Sequence, residues 1–158
     1  MKTSPFVALL ATAVACLLPG EPASQLALSI DLSTTQVQAD TGVVIRLEAR
    51  NPWRNVIHLT TVGCVLDYYL IGPNGERIDS PWGCDLFERQ VDVLPGESIV
   101  REFTFYPAPR YESFTLKRWA AGSYRIVGEL LGEQGNVVRE TEPVTFEIVC
   151  HDAGWTEC

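Results

Sequence analysis

The stretch that decides the fold begins Cys64-Val65-Leu66-Asp67-Tyr68-Tyr69-Leu70-Ile71 and turns at Gly72-Pro73-Asn74-Gly75-Glu76. It returns through Arg77-Ile78-Asp79-Ser80-Pro81-Trp82-Gly83 to Cys84. The turn places Pro73 at the first corner, Asn74 at the second and Gly75 where a left-handed backbone is needed. That is the chemistry of a three-residue hairpin loop, a type I turn closed by a glycine bulge. A hairpin centred on Asn74 pairs residues equidistant from it, and Cys64 and Cys84 are such a pair. The two cysteines then face each other across antiparallel strands, within disulfide reach. Pro81 and Gly83 interrupt the return strand, so the cysteine pairing is expected to be firmer than the ladder around it. Closing a loop of this length restricts the unfolded chain by roughly 3 kcal/mol.

Outward from this hairpin the same period-two pattern recurs. Ile45, Leu47 and Ala49 alternate with Arg46, Glu48 and Arg50, so one face of that strand is buried and the other wet. Asn51-Pro52 ends it, since proline donates no hydrogen bond and restricts the residue before it. Leu28, Ile30 and Leu32 alternate likewise with Ser29 and Asp31. Further strands are predicted over residues 56–61, 65–71, 99–106, 124–131 and 144–149, with connections at Asp40-Thr41-Gly42, Pro95-Gly96, Gly122-Ser123 and Gly135-Asn136. No window beyond residue 25 has helical periodicity. The expected fold is an all-β, immunoglobulin-like antiparallel β-sandwich of seven to eight strands. The longest stretch without alternation, residues 107–121, is either a functional loop or a loop with a short element of its own.

The 158 residues leave room for one domain of about 130 once a leader is set aside. The leader is residues 1–24: Lys2 is a minimal positive region, residues 6–18 are apolar or small, and Pro19-Gly20 break any helix. Thirteen such residues suit a signal peptide and are short for a bilayer span. Two processing routes fit. Ala13-Val14-Ala15-Cys16 is similar to a bacterial lipobox with Cys16 as the lipidated residue, and the alternative is cleavage between Gly20 and Gln25. With Cys16 in the leader, Cys64, Cys84, Cys150 and Cys158 form an even set for an oxidising compartment. Cys150 and Cys158 then close a small C-terminal loop over residues 150–158, after a sandwich over 25–149. The expected location is the periplasm, cell envelope or extracellular space, with the membrane met only through an N-terminal lipid.

A catalytic role finds no motif: the usual nucleophile elbow, phosphate loop and zinc signatures are missing from the sequence. His58 reads as a solvated strand residue. The tail from Cys150 through His151 and Asp152 to Cys158 holds metal-type ligands, but oxidised thiols would not serve a metal, so neither metal nor cofactor is expected. Asp67, Asp85 and Glu88 read as surface carboxylates rather than an acid–base pair. A net charge of −8 supplies no basic face for nucleic acid. What remains is binding. Residues 65–71 are apolar on both strand faces, so Tyr68 or Tyr69 would anchor a partner unless the protein's own long loop covers them.

The middle of the chain resembles the BsuPI family of intracellular proteinase inhibitor domains. The resemblance runs through Ala49-Arg50-Asn51, residues 56–59, Asp67-Tyr68, Asn74-Gly75-Glu76-Arg77, Ser80-Pro81-Trp82-Gly83 and Leu86-Phe87. It continues through Leu94-Pro95-Gly96-Glu97-Ser98 and Ala121-Gly122-Ser123-Tyr124, spanning roughly residues 28–149. It implies an immunoglobulin-like sandwich and inhibition of a serine protease by binding. It carries over no inhibitory residue set, and the export signal, the disulfides and the long loop at 107–121 depart from it. An inhibitor would present Arg110-Tyr111 or Lys117-Arg118 to an enzyme cleft. The alternative is a non-inhibitory envelope module that docks a protein or a glycan.

Overall fold

The computed structural model describes residues 21–38, 41–81, 84, 87–107, 110–112, 115–117 and 119–150, with the backbone alone over 110–117. Cys16, Asp85, Arg118, His151, Asp152 and Cys158 lie outside the described residues. The described chain is all β apart from a 3₁₀ turn at Pro22–Gln25. Eight strands have five residues or more: β1 (Ala27–Leu32), β3 (Val43–Arg50), β4 (Ile57–Val62), β5 (Leu66–Ile71), β7 (Glu88–Val93), β8 (Ser98–Phe105), β11 (Gly122–Leu131) and β13 (Val144–Ile148). Shorter ones are β2 (Gln36–Val37), β6 (Arg77–Asp79), β9 (Arg110–Glu112), β10 (Thr115–Lys117) and β12 (Val137–Glu140).

Two sheets face each other. One has the order β1-β3-β8 and the other β2-β13-β11-β5-β6, with β12 also on β11. Alternation puts Val43, Ile45, Leu47 and Ala49 of β3 inside, none more than 1% exposed. They meet Leu66, Tyr68 and Leu70 of β5, Ile126 and Leu130 of β11, and Phe146 and Ile148 of β13, all buried. Aromatic edges lock the layers: Tyr68 packs on Phe103 of β8 at 5.0 Å, and Phe105 packs on Trp119 at 4.9 Å. Such offset contacts add about 0.5–1.5 kcal/mol each beyond their buried area. A third element, the ribbon β4-β7, pairs Ile57 with Val93 and Leu59 with Val91.

The hairpin has the register its turn dictates. Tyr69 pairs with Asp79, Leu70 with Ile78 and Ile71 with Arg77, all equidistant from Asn74. Gly75 sits at φ 84°, and the loop closes through Gly72 N–H to the Glu76 carbonyl at 2.9 Å. Cys64 and Cys84 are joined. Cys150 is also disulfide-bonded, and its expected partner Cys158 lies outside the described residues. A disulfide framework of this kind belongs to an oxidising environment. No described helix is long and apolar enough to cross a membrane.

Residues 21–26, ahead of the first strand, pack against the sandwich. Ala23 is 3% exposed and Leu26 fully buried. The Glu21 carboxylate accepts the Glu133 N–H at 2.6 Å and the Asn136 amide at 3.2 Å, and Arg139 donates to the Ser24 carbonyl. The 3₁₀ turn is therefore part of the core's lid, although its sequence has no strand pattern to reveal this.

Asn51 organises one end of the sandwich. It is fully buried, and its amide donates to the carbonyls of Asn55 and Val93, both at 2.8 Å. Its Oδ1 accepts the Trp53 N–H. Its backbone exchanges bonds with the 94–97 turn, through Asn51 N–H to Glu97 O and Gly96 N–H to Asn51 O. A buried amide with its hydrogen bonds made fixes the geometry of these two loops.

Candidate functional site

Residues 107–121 contain an element of their own. β9 and β10 form an antiparallel hairpin in which Lys117 stands opposite Arg110 and Leu116 opposite Tyr111. The hairpin joins β8 to β11, and Trp119, three residues before β11, is 7% exposed and wedged between Phe105 and Tyr124. The Tyr124 hydroxyl donates to the Ala120 carbonyl at 3.1 Å. Burial, against a weaker contribution from that hydrogen bond, raises the Tyr124 pKa. The segment thus returns to the sandwich at a packed base. Of the four residues of this loop expected to meet a partner, Arg110, Tyr111 and Lys117 fall on the hairpin strands, and Arg118 lies outside the described residues.

Tyr68 and Tyr69 occupy opposite faces of β5, and neither is an open anchor. Tyr68 is 2% exposed inside the sandwich, which corrects its assignment as a partner-binding residue. Tyr69 points outward, but Arg77 lies over its ring at 3.7 Å and its hydroxyl donates to Glu140 at 3.3 Å. Arg77 also donates to Asp79 at 2.7 Å and to Glu129 at 2.9 Å, the latter only 7% exposed. Burial, followed by the negative charge of Glu140, raises the Tyr69 pKa. Burial opposes the charge on Arg77, and its hydrogen bonds to Asp79 and Glu129 outweigh that and raise its pKa. Among the described residues the cover on Tyr69 comes from β6, β11 and β12. A doubly apolar run could not show this, because the covering charges sit on other strands.

Of the carboxylates considered for acid–base work, Asp67 and Glu88 are among the described residues. Asp67 accepts the Tyr68 N–H and the Ser80 hydroxyl, both within 2.8 Å, and Glu88 is exposed on β7. His58 is exposed and meets Asp92 at 2.7 Å across the β4-β7 ribbon. Among the described residues no group of three or more His, Cys, Asp or Glu side chains could hold a metal.

Sequence reasoning missed Arg101. It shares the inward side of β8 with Ile99, Phe103 and Phe105, where an arginine interrupts the apolar pattern. Its Nη1 lies against Cys64 Sγ and donates to the Leu66 carbonyl at 3.1 Å, and its guanidinium sits over Phe103 at 4.6 Å. Beside it, an open cleft of about 400 Å³ is lined by Thr61, Arg89 and Val91 of the ribbon and by Ile99, Val100 and Arg101 of β8. The signal was available, since one charged residue in an alternating strand marks a rim position or a site.

No family model matches the chain, and no curated protein does. Solved structures match part of the chain at low identity. A β-glucosidase from Erythrobacter marinus matches with a TM-score of 0.47 at 11% identity, over 78% of this chain and 16% of that one. A β-glucosidase from Listeria innocua in complex with laminaribiose matches at 0.46 and 12% identity, over the same shares of the two chains. An alkylpurine DNA glycosylase from Pseudomonas fluorescens matches at 0.44 and 11% identity, over 78% of this chain and 30% of that one. The chain thus spans less than a third of each of these proteins.

Proposed function

We propose that this chain is an exported, BsuPI-like binding module that inhibits a serine protease by presenting the β9–β10 hairpin to the enzyme's cleft. The observation behind this is the hairpin itself, which enters from β8 and leaves into β11 past the buried Trp119. A loop clamped at its base loses little conformational entropy on docking, the main requirement for tight inhibition. Arg110, Tyr111, Lys117 and Arg118 supply the recognition chemistry, with a cationic side chain for a carboxylate-lined specificity pocket. The non-inhibitory alternative, a module docking a protein or a glycan, is supported less by the tyrosine face, since Tyr69 is covered by Arg77 and bonded to Glu140.

The packing of residues 21–26 is compatible with anchoring at Cys16. Cleavage after residue 21 or later would cut away Glu21, whose carboxylate holds the 133–136 turn, or the buried Ala23. Processing before Cys16 keeps both, as does cleavage directly after Gly20. The domain then acts at the outer surface of a membrane in the cell envelope.

Titration of the processed domain against trypsin-like and subtilisin-like proteases tests the reading. Stoichiometric inhibition of at least one enzyme is expected. Arg110→Ala, or Lys117→Ala together with Arg118→Ala, should weaken it by about 2 kcal/mol or more, the size of a buried anchor. An absence of inhibition across the panel, or inhibition indifferent to both variants, contradicts the proposal.

A further inference from the structure

β8 ends its sheet. Its inner edge pairs with β3 along the whole strand, from Ser98 opposite Arg50 to Phe105 opposite Val43. Along its outer edge no main-chain hydrogen bond is made among the described residues. β7 precedes β8 directly in the chain and lies on the other side of the cleft, yet it pairs with β4 instead. An antiparallel strand paired on one side only leaves alternate N–H and C=O groups pointing outward. Natural edges of this length are usually blunted by proline, a bulge or charged side chains. β8 has no proline, lysine or bulge and runs in unbroken register, Ser98-Ile99-Val100-Arg101-Glu102-Phe103-Thr104-Phe105, so its selectivity against non-specific pairing rests on the charges of Arg101 and Glu102.

Two recesses follow this edge. The cleft of about 400 Å³ opens beside Ile99, Val100 and Arg101. A second recess of about 330 Å³ opens beside residues 101–104 and Tyr106. Arg101 lines both. Val100 and Tyr106 are 44% and 54% exposed and give the edge apolar ends. Arg101 is half-buried and has no carboxylate within salt-bridge distance among the described residues, on a chain with a net charge of −8. Unbonded main chain, side-chain recesses along one strand and a cation at their junction are together what recognition by strand addition requires. The main chain supplies affinity, and pockets for alternate side chains supply selectivity.

We propose that β8 is a docking edge for an extended peptide segment of another protein, one carrying an acidic side chain that meets Arg101. Opposite charge selects the occupant. An added strand places the residue opposite Arg101 on the same face of the sheet, within about 5.5 Å. A carboxylate there completes a pair that no described residue of the chain makes. A second copy of this chain is disfavoured by the repulsion between two bodies of charge −8. This edge is separate from the β9–β10 hairpin, so the proposal stands whether or not a protease is inhibited.

The probe is a phage-displayed library of random twelve-residue peptides, panned against the processed domain with its disulfides intact. Enriched peptides are expected to be extended sequences of alternating apolar residues sharing one Asp or Glu. In the ¹⁵N-labelled domain, an enriched synthetic peptide should protect from exchange those β8 amides that do not donate to β3. Replacing its acidic residue by the corresponding amide should weaken binding at least tenfold, a readout that needs no change to the protein. Arg101→Gln should do the same, and Arg101→Lys should recover part of the loss. Failure to enrich peptides, enrichment without a shared acidic residue, or protection on other strands overturns the proposal. So does dimerisation of the domain alone that protects the same β8 amides.

Discussion

Two arginines lie over aromatic rings in this molecule, and their surroundings differ. Arg77 covers Tyr69 on the outer face of the larger sheet and is held by Asp79 and by the buried Glu129, while Glu140 takes the Tyr69 hydroxyl. Arg101 covers Phe103 at the rim of the smaller sheet, and its partners there are a sulfur of the disulfide and a backbone carbonyl. The first is a network in which the cation is met by two carboxylates of its own sheet. The second is a cation beside a recess and an edge that no described strand pairs. An arginine answered by carboxylates on its own sheet stabilises the fold, whereas one facing a sulfur and a carbonyl retains binding capacity.

The largest expected effect concerns the link that positions Arg101. Replacing Cys64 and Cys84 together by Ala removes a cross-link around a loop of 20 residues. Urea unfolding should show a loss of about 3 kcal/mol. An unchanged midpoint would mean that the β5–β6 hairpin is held without the bridge. A smaller, contrasting pair follows. Glu129→Gln removes the buried charge facing Arg77 and should cost about 1.5–3 kcal/mol, as expected for a hydrogen bond to a charged group. Arg101→Gln should cost less, about 1 kcal/mol, because it loses a bond to a neutral carbonyl and no ion pair among the described residues. Equal costs would erase the distinction between the two sites.

Much of this was legible in the chain, and the reasons differ by region. Gly72-Pro73-Asn74-Gly75-Glu76 specifies its own backbone, so both the hairpin register and the Cys64–Cys84 bridge follow from local turn chemistry. The alternation in β1, β3, β4 and β13 marks the buried faces for the same local reason. β7 escaped notice because only Val91 and Val93 of its six residues are apolar, and its pairing with β4 is a long-range choice. The closure of the Tyr69 face depends on Arg77, Glu129 and Glu140, brought together from β6, β11 and β12. No reading of residues 65–71 alone could anticipate that. Residues 107–121 were marked by length only; the ladder of β9 with β10 has three residues a side, too short for periodicity.

The smallest effect expected lies at alkaline pH. The phenols of Tyr69 and Tyr124 both titrate above the ordinary value of 10.0 in the folded chain, chiefly through burial. Between that value and the raised one, the unfolded chain has lost protons that the folded chain still holds. Stability is therefore fully present below about pH 10 and falls as the pH rises beyond it. Tyr69→Phe should remove part of this decline in urea midpoints measured across the range. A midpoint that climbs above pH 10 would show that the network around Tyr69 favours the phenolate.

The contrast between a closed face and an open edge is tested most directly by residue-resolved amide exchange of the processed domain in the absence of any partner. β11, flanked by β5 on one side and by β13 and β12 on the other, should exchange slowly along most of its length. β8 should show a two-residue alternation, with the amides that donate to β3 protected and those between them exchanging fast. Uniform protection along β8, equal to that of β11, would mean that the edge is already covered, and would contradict the account.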